Sequence, residues 1–222
     1  MAMKDKHMKL LSINIGQKRT QQNGLKLETT GIYKDPVQEA VQITTLGIPQ
    51  DFIASKKHHG GPDQAIYVYG QADYEWWSQE IGRDLKPGTF GDNFTISELE
   101  SAAFNVGDRL HIGSAILEVS APRIPCRTFA RRMEDPFFVK KFRHAERPGL
   151  YCRVIQEGSV RVGDEVRVEK YTGETISVLQ MFHDFYRRKK SEAVLRQHLR
   201  APIAIRARRD LEEQLQKLLA EK

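Results

Sequence analysis

The residues best suited to chemistry surround Cys126, near the middle of the chain. Pro122 and Pro125 precede the cysteine, and each proline fixes its own φ and favours an extended residue before it. Arg123 and Arg127 flank the cysteine, and nearby positive charge lowers the pKa of a thiol. The segment therefore predicts a reactive thiolate at the end of a stiff, extended stretch. The alternative is a cysteine that packs as a small buried hydrophobe.

A second group of polar residues lies in the loop 56–65, which reads Lys-Lys-His-His-Gly-Gly-Pro-Asp-Gln-Ala. Its glycine pair allows positive φ and close approach of the backbone to a ligand. Its lysines suit a phosphate group, to which lysine binds as a point charge. The loop is therefore typical of a site for an anionic ligand.

Composition limits the class of protein. The 222 residues carry a formal net charge of +6 and contain no apolar run of transmembrane length. The polar N-terminus has no signal-peptide core, so we expect a cytoplasmic protein without a membrane segment. The two cysteines, Cys126 and Cys152, do not indicate a disulfide scaffold, and the absence of a Cys-x-x-Cys pair argues against an iron–sulfur cluster or structural zinc.

The first 170 residues contain many short segments that alternate apolar and polar residues between glycine-containing turns, which is typical of an antiparallel barrel or sandwich. The clearest strand-like segments are residues 9–15, 109–119, 149–156 and 165–169. Helical periodicity interrupts the strands at residues 71–81 and 128–143. We expect Trp76 and Trp77 to fill the space between helix and barrel, and the alternative is that one of them covers a ligand. We expect Cys152 to pack on an apolar strand face.

The composition changes near residue 170. Residues 170–222 carry twelve Lys and Arg against seven Asp and Glu, and they show three apolar stripes with helical spacing. We expect Thr172 and Ser191 to cap the first two helices. The predicted organisation is a β-barrel domain at residues 1–170 and a three-helix module at residues 171–222, docked on the barrel.

The basic tail has several interpretations. A solvated helical surface explains the charge without any function, and nucleic-acid binding is disfavoured because no binding motif or aromatic platform accompanies the charge. Shaping one wall of a pocket or docking a reductase partner is the preferred role, and homodimer formation stays open.

Three motifs precede the tail in a fixed order: Lys57–Ala65, Gly-Thr-Phe-Gly-Asp-Asn-Phe-Thr at residues 88–95, and Pro125-Cys126-Arg127. Together they resemble the MOSC domain family, named after the C-terminal domain of molybdenum-cofactor sulfurases, and within it the YiiM-like branch, which adds a C-terminal three-helix module. The resemblance covers nearly the whole chain. It implies a mainly β fold with some α, namely a twisted antiparallel β-barrel plus the small bundle. It also implies a bound molybdenum cofactor, a molybdopterin with a dithiolene, a metal and a phosphate.

The resemblance also implies roles for individual residues. Cys126 is the implied molybdenum ligand, since a soft thiolate suits this metal. His59 is the implied proton donor because the unperturbed pKa of histidine lies near neutrality, although a structural hydrogen bond in the loop is the alternative. His58 is adjacent, and His59 is favoured because it abuts the glycine pair. The implied cofactor-binding residues are Lys57, His59, Gly60, Gly61, Asn93, Arg123, Cys126 and Arg127.

The implied reaction is R–NHOH + 2 e⁻ + 2 H⁺ → R–NH₂ + H₂O, with a small N-hydroxylated substrate such as 6-N-hydroxylaminopurine. The chain has no ferredoxin-type cysteine pattern, so the electrons are expected from a separate reductase protein. The family resemblance also brings an association with pyridoxal phosphate binding, to which no residue of this chain is assigned. The alternative function is a carrier of cofactor or sulfur that holds a persulfide on Cys126 without redox turnover.

Overall fold

The structure is a computed structural model that describes residues 7–55 and 59–221. Helix and strand contribute about equally to these ranges. The strands are β1 (Met8–Gly16), β2 (Arg19–Asn23), β3 (Lys26–Thr30), β4 (Lys34–Val37), β5 (Val41–Ile43), β6 (Ile66–Gly70), β7 (Phe94–Ile96), β8 (Arg109–Ile112), β9 (Ala115–Pro122), β10 (Leu150–Gln156), β11 (Gly158–Val160) and β12 (Glu165–Glu169).

Seven of the strands close into a barrel. The order is β12-β8-β9-β10-β6-β7-β1, and the pairing of β1 with β12, in which Met8 faces Val166, completes the ring. β4 lies outside the ring and pairs with β1. β2 pairs with β3, and β5 with β11, as separate two-stranded ribbons. The predicted barrel is therefore confirmed, and closure leaves its strands without free edges.

The helices are α1 (Gln71–Ile81), α2 (Arg127–Arg132), α3 (Phe138–Ala145), α4 (Val178–Phe185), α5 (Glu192–Arg200) and α6 (Ile205–Ala220). α1 connects β6 to β7, and these two strands are parallel whereas the other pairs described are antiparallel. A parallel pair needs a crossover connection, which the helical segment 71–81 supplies.

An aromatic cluster joins α1, α2 and α3 to the barrel. Trp77 is fully buried and donates from Nε1 to the hydroxyl of Tyr69 at 2.9 Å. Phe129 of α2 packs edge-on against Phe138, with ring centroids 5.0 Å apart. Because Phe129 follows Cys126 by three residues, this packing fixes the chain next to the cysteine. The expectation that a tryptophan fills the space between helix and barrel is confirmed for Trp77.

The three tail helices continue the buried core of the barrel. Buried apolar side chains from the tail join the barrel residues in one cluster, among them Val178, Leu195 and Leu211. Ser191 caps α5 by accepting from the amide of Val194 at 3.4 Å, as predicted. Within the described ranges, no helix combines the length and apolar character that a membrane span requires.

Two sequence-based expectations about elements are wrong. The segment 109–119 is not one strand, because Gly113 adopts φ +54° and turns the chain back between β8 and β9. Thr172 does not cap α4, since the amide of Val106 bonds to the carbonyl of Ile176 at 3.0 Å and keeps that stretch extended. Ser177 is the cap and accepts from the amide of Gln180.

Candidate functional site

A cavity of about 470 Å³ lies beside Cys126, which is a size typical of small-molecule sites. Its walls come from the β2–β3 hairpin, the segment after β5, the start of β6 and the segment between β9 and α2. The residues that line it include Glu28, Gly31, Lys34, Asp51, His59, Gln64, Tyr67, Asn93, Arg123, Cys126 and Tyr151.

Cys126 is half-buried at the wall of this cavity and immediately precedes α2. Burial alone would raise the pKa of its thiol. A hydrogen bond from His59, the charge of Arg123 and the amide of Phe129 oppose burial and lower the pKa to about 6. The thiolate is therefore the main form at neutral pH. Cys152, in contrast, is fully buried in β10, and burial raises the pKa of its thiol.

Arg123 is 6% exposed and places its guanidinium in the cavity wall. The group donates to the carbonyl of Phe90, and its Cζ lies 4.2 Å from the centroid of the Phe129 ring. Burial acts to lower the pKa of Arg123, but the neighbouring Tyr67, Tyr151 and Cys126 raise it, so the group stays charged. No carboxylate of the described residues lies within ion-pair distance of it. A buried cation without a carboxylate partner suits an anionic ligand.

Lys34 and Asp51 form a second charged group in the cavity wall that sequence analysis missed. Lys34 donates to Asp51 Oδ2, and burial lowers the pKa of Lys34 although the charge of Asp51 acts to raise it. Asp51 also accepts from the amide of Gly16 at 2.6 Å. The lysine is the first residue of β4 and the aspartate lies in an irregular segment 17 residues later, and no local motif marks either one.

Asn93 links this charged group to the barrel. Its side-chain nitrogen donates to Asp51 Oδ2 at 2.9 Å, and its side-chain oxygen accepts from the amide of Tyr67 at 3.1 Å. The Tyr67 ring stacks in a tilted arrangement on Tyr151, with centroids 5.0 Å apart. Asn93 thus orients the cavity wall, and the two tyrosines form its aromatic part.

The structure brings together four of the predicted site residues, His59, Asn93, Arg123 and Cys126, as parts of one cavity wall. Gly60 and Gly61 follow His59 in the same loop but do not line the cavity. Arg127 is exposed and does not line the cavity, and the chain changes from extended to helical at this position. Lys57 and His58 lie outside the described residues.

The β2–β3 hairpin covers part of the cavity and was also missed. Glu28 lines the cavity and pairs with Arg131 of α2 at 2.8 Å. Gly24 and Leu25 form the turn of the hairpin, between the paired residues Asn23 and Lys26, with Gly24 at φ +60°. A glycine at the first position of a two-residue turn between extended segments is the sequence signal that could have revealed this hairpin.

Comparison with known proteins agrees with this architecture. The profile of the MOSC domain matches residues 55–167. The chain is 33% identical over 177 residues to Uncharacterized protein YflK of Bacillus subtilis (strain 168), covering 79% of this chain and 80% of that protein. It is 29% identical over 142 residues to a protein named Reductase of Gibberella moniliformis, covering 62% of this chain but only 25% of that protein.

A solved structure supports the same assignment over nearly the whole chain. The crystal structure of YiiM from Geobacillus stearothermophilus superposes with a TM-score of 0.77 at 27% identity, covering 94% of this chain and 99% of that one. The match includes the helical tail as well as the barrel. The chain belongs to the MOSC domain family and, within it, to the YiiM-like branch.

Proposed function

We propose that this protein binds a molybdenum cofactor in the cavity and reduces N-hydroxylated compounds to the corresponding amines. The observation that carries the proposal is the Cys126 thiol, with a pKa of about 6, which faces the cavity between His59 and Arg123. The MOSC domain family is associated with the molybdenum cofactor, and a fungal relative bears the name Reductase.

The side chains at the cavity fit such a cofactor. Molybdenum accepts a soft thiolate as a ligand, and Cys126 is ionised and accessible from the cavity. Arg123 presents a buried charge that no carboxylate of the described residues neutralises, which suits the phosphate of a pterin. Lys34 adds a second buried cation, although its charge is shared with Asp51. Lys57 and Arg127 remain part of the proposal as further binding residues for the phosphate.

The cofactor, when bound, would supply the two-electron chemistry that removes oxygen from the substrate. The residues of the chain have the remaining tasks. Cys126 would hold the metal, and His59, next to the thiol, would donate protons to the oxygen that leaves as water. The overall change is R–NHOH + 2 e⁻ + 2 H⁺ → R–NH₂ + H₂O, and a separate reductase protein delivers the electrons.

The form of the cavity favours a small, flat substrate. Tyr67 and Tyr151 present aromatic rings, against which a heteroaromatic base can stack. Glu28 and Gln64 provide polar groups at other points of the wall. A hydroxylaminopurine such as 6-N-hydroxylaminopurine combines a planar ring with the required N–OH group.

The test compares two cysteine variants, each purified from a host that makes the cofactor. We expect the native protein to contain molybdenum near one atom per chain and to reduce a hydroxylaminopurine with an artificial electron donor. Cys126→Ala should lose most turnover, whereas Cys152→Ala, the matched control in β10, should retain it. Undiminished turnover by Cys126→Ala would reject the proposed metal ligand.

The second candidate is a carrier of sulfur, because an accessible thiolate of low pKa also suits a persulfide. Metal and sulfur analysis separates the two functions. Sulfane sulfur on Cys126 without molybdenum or pterin would favour the carrier and contradict the reductase.

A further inference from the structure

The N-terminal end of α6 lies against the loop that carries His59. The amide of Ile205, the first residue of α6, donates to Asp63 Oδ2 at 2.7 Å. Arg206 donates from its guanidinium to the carbonyl of Gly60 at 2.8 Å. Two consecutive residues of the tail therefore hold two points of the loop 59–65.

Asp63 takes the place of a local helix cap. Ala204 occupies the N-cap position of α6 and has no side chain that can accept a hydrogen bond, and the first turn of α6 contains no acidic residue. The first amides of a helix need acceptors and carry a partial positive charge. The Asp63 carboxylate, which comes from a distant part of the chain, meets both requirements.

Arg153 on β10 strengthens the same junction from the barrel side. Its Nε lies 2.8 Å from Asp63 Oδ1, and its guanidinium also donates to the carbonyl of Pro202 at 3.0 Å. The amide of Ala204 bonds to the carbonyl of Ser120 at 3.2 Å, close to the segment that leads to Cys126. Barrel, loop and tail thus meet at one point.

The loop is short, and both of its ends reach the cavity. His59 lies at the beginning of the loop and contacts the Cys126 thiol, and Gln64 and Ala65 lie at the end. Gly61 adopts φ +93°, and a Cβ at this position would lie 3.6 Å from the Arg206 guanidinium. The contacts with Asp63 and Gly60 therefore fix the middle of a segment whose ends form cavity wall.

We propose that the start of α6 is a positioning element of the site, in which Arg206 and the Asp63 cap hold the loop so that His59 stays against Cys126. The helical tail then belongs to the cavity architecture and is more than a basic surface. The proposal extends the proposed function at the same site, but it concerns contacts of the chain itself and needs neither metal nor turnover.

The test uses the full-length protein free of cofactor. The variants are Arg206→Ala, Arg206→Lys and the matched control Arg209→Ala. The control removes a positive charge from the same helix, and the Arg209 side chain makes no hydrogen bond or ion pair in the described part of the chain. Amide hydrogen exchange over residues 59–65 reports the loop directly. The rate of Cys126 alkylation by iodoacetamide at neutral pH, read by mass spectrometry, reports the contact with His59.

In Arg206→Ala we expect exchange in the loop to accelerate about tenfold, because a charge-assisted hydrogen bond is lost. Cys126 alkylation should slow several-fold, because a displaced His59 no longer favours the thiolate. Arg206→Lys should fall between Arg206→Ala and the native protein, and Arg209→Ala should match the native protein.

The proposal would be overturned if the rates of amide exchange and of Cys126 alkylation in Arg206→Ala equalled those of Arg209→Ala. Faster alkylation in Arg206→Ala would also overturn it, because the loop would then only shield the thiol from the reagent. If Arg206→Ala does not fold, Arg206→Lys and Asp63→Asn test the proposal in the same two measurements. The result of this test does not depend on whether the protein binds molybdenum.

Discussion

Lys34 and Asp51 form an ion pair in which the side chains are only 8% and 4% exposed, and both residues line the cavity beside Cys126. Removing two charges from water is costly, and the cost is recovered here by the pairing and by further hydrogen bonds to Asp51 from Gly16 and Asn93. Arg123 adds a third buried charge close enough to lower the pKa of Lys34. The wall thus carries more buried charge than packing requires, which agrees with a site for an anionic ligand.

Separating this ion pair should destabilise the fold. Lys34→Met leaves a buried carboxylate, and Asp51→Asn leaves a buried lysine, so each should lower the free energy of unfolding by about 3 kcal/mol. The double variant Lys34→Met with Asp51→Asn should lose clearly less than the sum of the two, because no unpaired charge remains. Urea unfolding measures all three, and strictly additive losses would show that the two side chains do not interact.

The pKa of Cys126 gives a second prediction. Iodoacetamide labelling should reach half its maximum rate near pH 6, the pKa of the thiol. His59→Gln should move this midpoint upward by about one to two pH units, because a hydrogen bond to the thiolate is lost. Labelling of Cys126 as a function of pH, read by peptide mass spectrometry, gives both midpoints. A midpoint near 9 in the native protein would contradict the proposed environment.

The same shift links Cys126 to stability. Because the folded state lowers the pKa of this thiol from 9.0 to about 6, the ionised cysteine stabilises the fold above pH 9. This contribution is lost as the pH falls from 9 to 6. The stability difference between the native protein and Cys126→Ala should therefore shrink over this interval, whereas Cys152→Ala should show no such dependence.

The sequence alone was sufficient to predict those strands and site residues that can be recognised from the residues next to them in the chain. Strand alternation predicts most of the barrel, and Cys126, Arg123 and His59 lie in motifs that can be recognised by residue type and spacing. Arg127 shows the limit of that reasoning. It is as close to the cysteine in sequence as a residue can be, yet it is exposed because the chain enters a helix there.

Lys34 and Asp51 could not be predicted because their pairing depends on contacts between distant segments. Such contacts arise where backbones pass unusually close, as at Gly31 and Phe52. The position of Arg206 on the His59 loop is equally non-local, since 146 residues separate Arg206 from Gly60. Tertiary contacts of this kind leave no periodicity in the sequence.

The close passage at Gly31 gives a fourth prediction. A Cβ at Gly31 would lie 1.8 Å from the carbonyl oxygen of Phe52, so Gly31→Ala must displace one wall of the cavity. We expect a loss of about 3 kcal/mol in the free energy of unfolding. Gly24→Ala is the matched control, because nothing lies within 4 Å of its Cβ, and its positive φ alone should cost about 1 kcal/mol. Equal losses would show that the passage at Gly31 can relax.

The pairing of Glu28 with Arg131 connects the β2–β3 hairpin to the helix that follows Cys126. Both side chains are partly exposed, at 46% and 22%, so Arg131→Ala should change the free energy of unfolding by less than about 1 kcal/mol. The hairpin should nevertheless move more freely, because Arg131 also donates to Gln21 of β2. We expect faster amide exchange in residues 19–30 and a KM for the hydroxylaminopurine that rises several-fold with little change in kcat.

Lys26→Ala, on the same hairpin, should leave exchange and KM as they are. If Arg131→Ala lowers kcat but not KM, the hairpin does not help to hold the substrate.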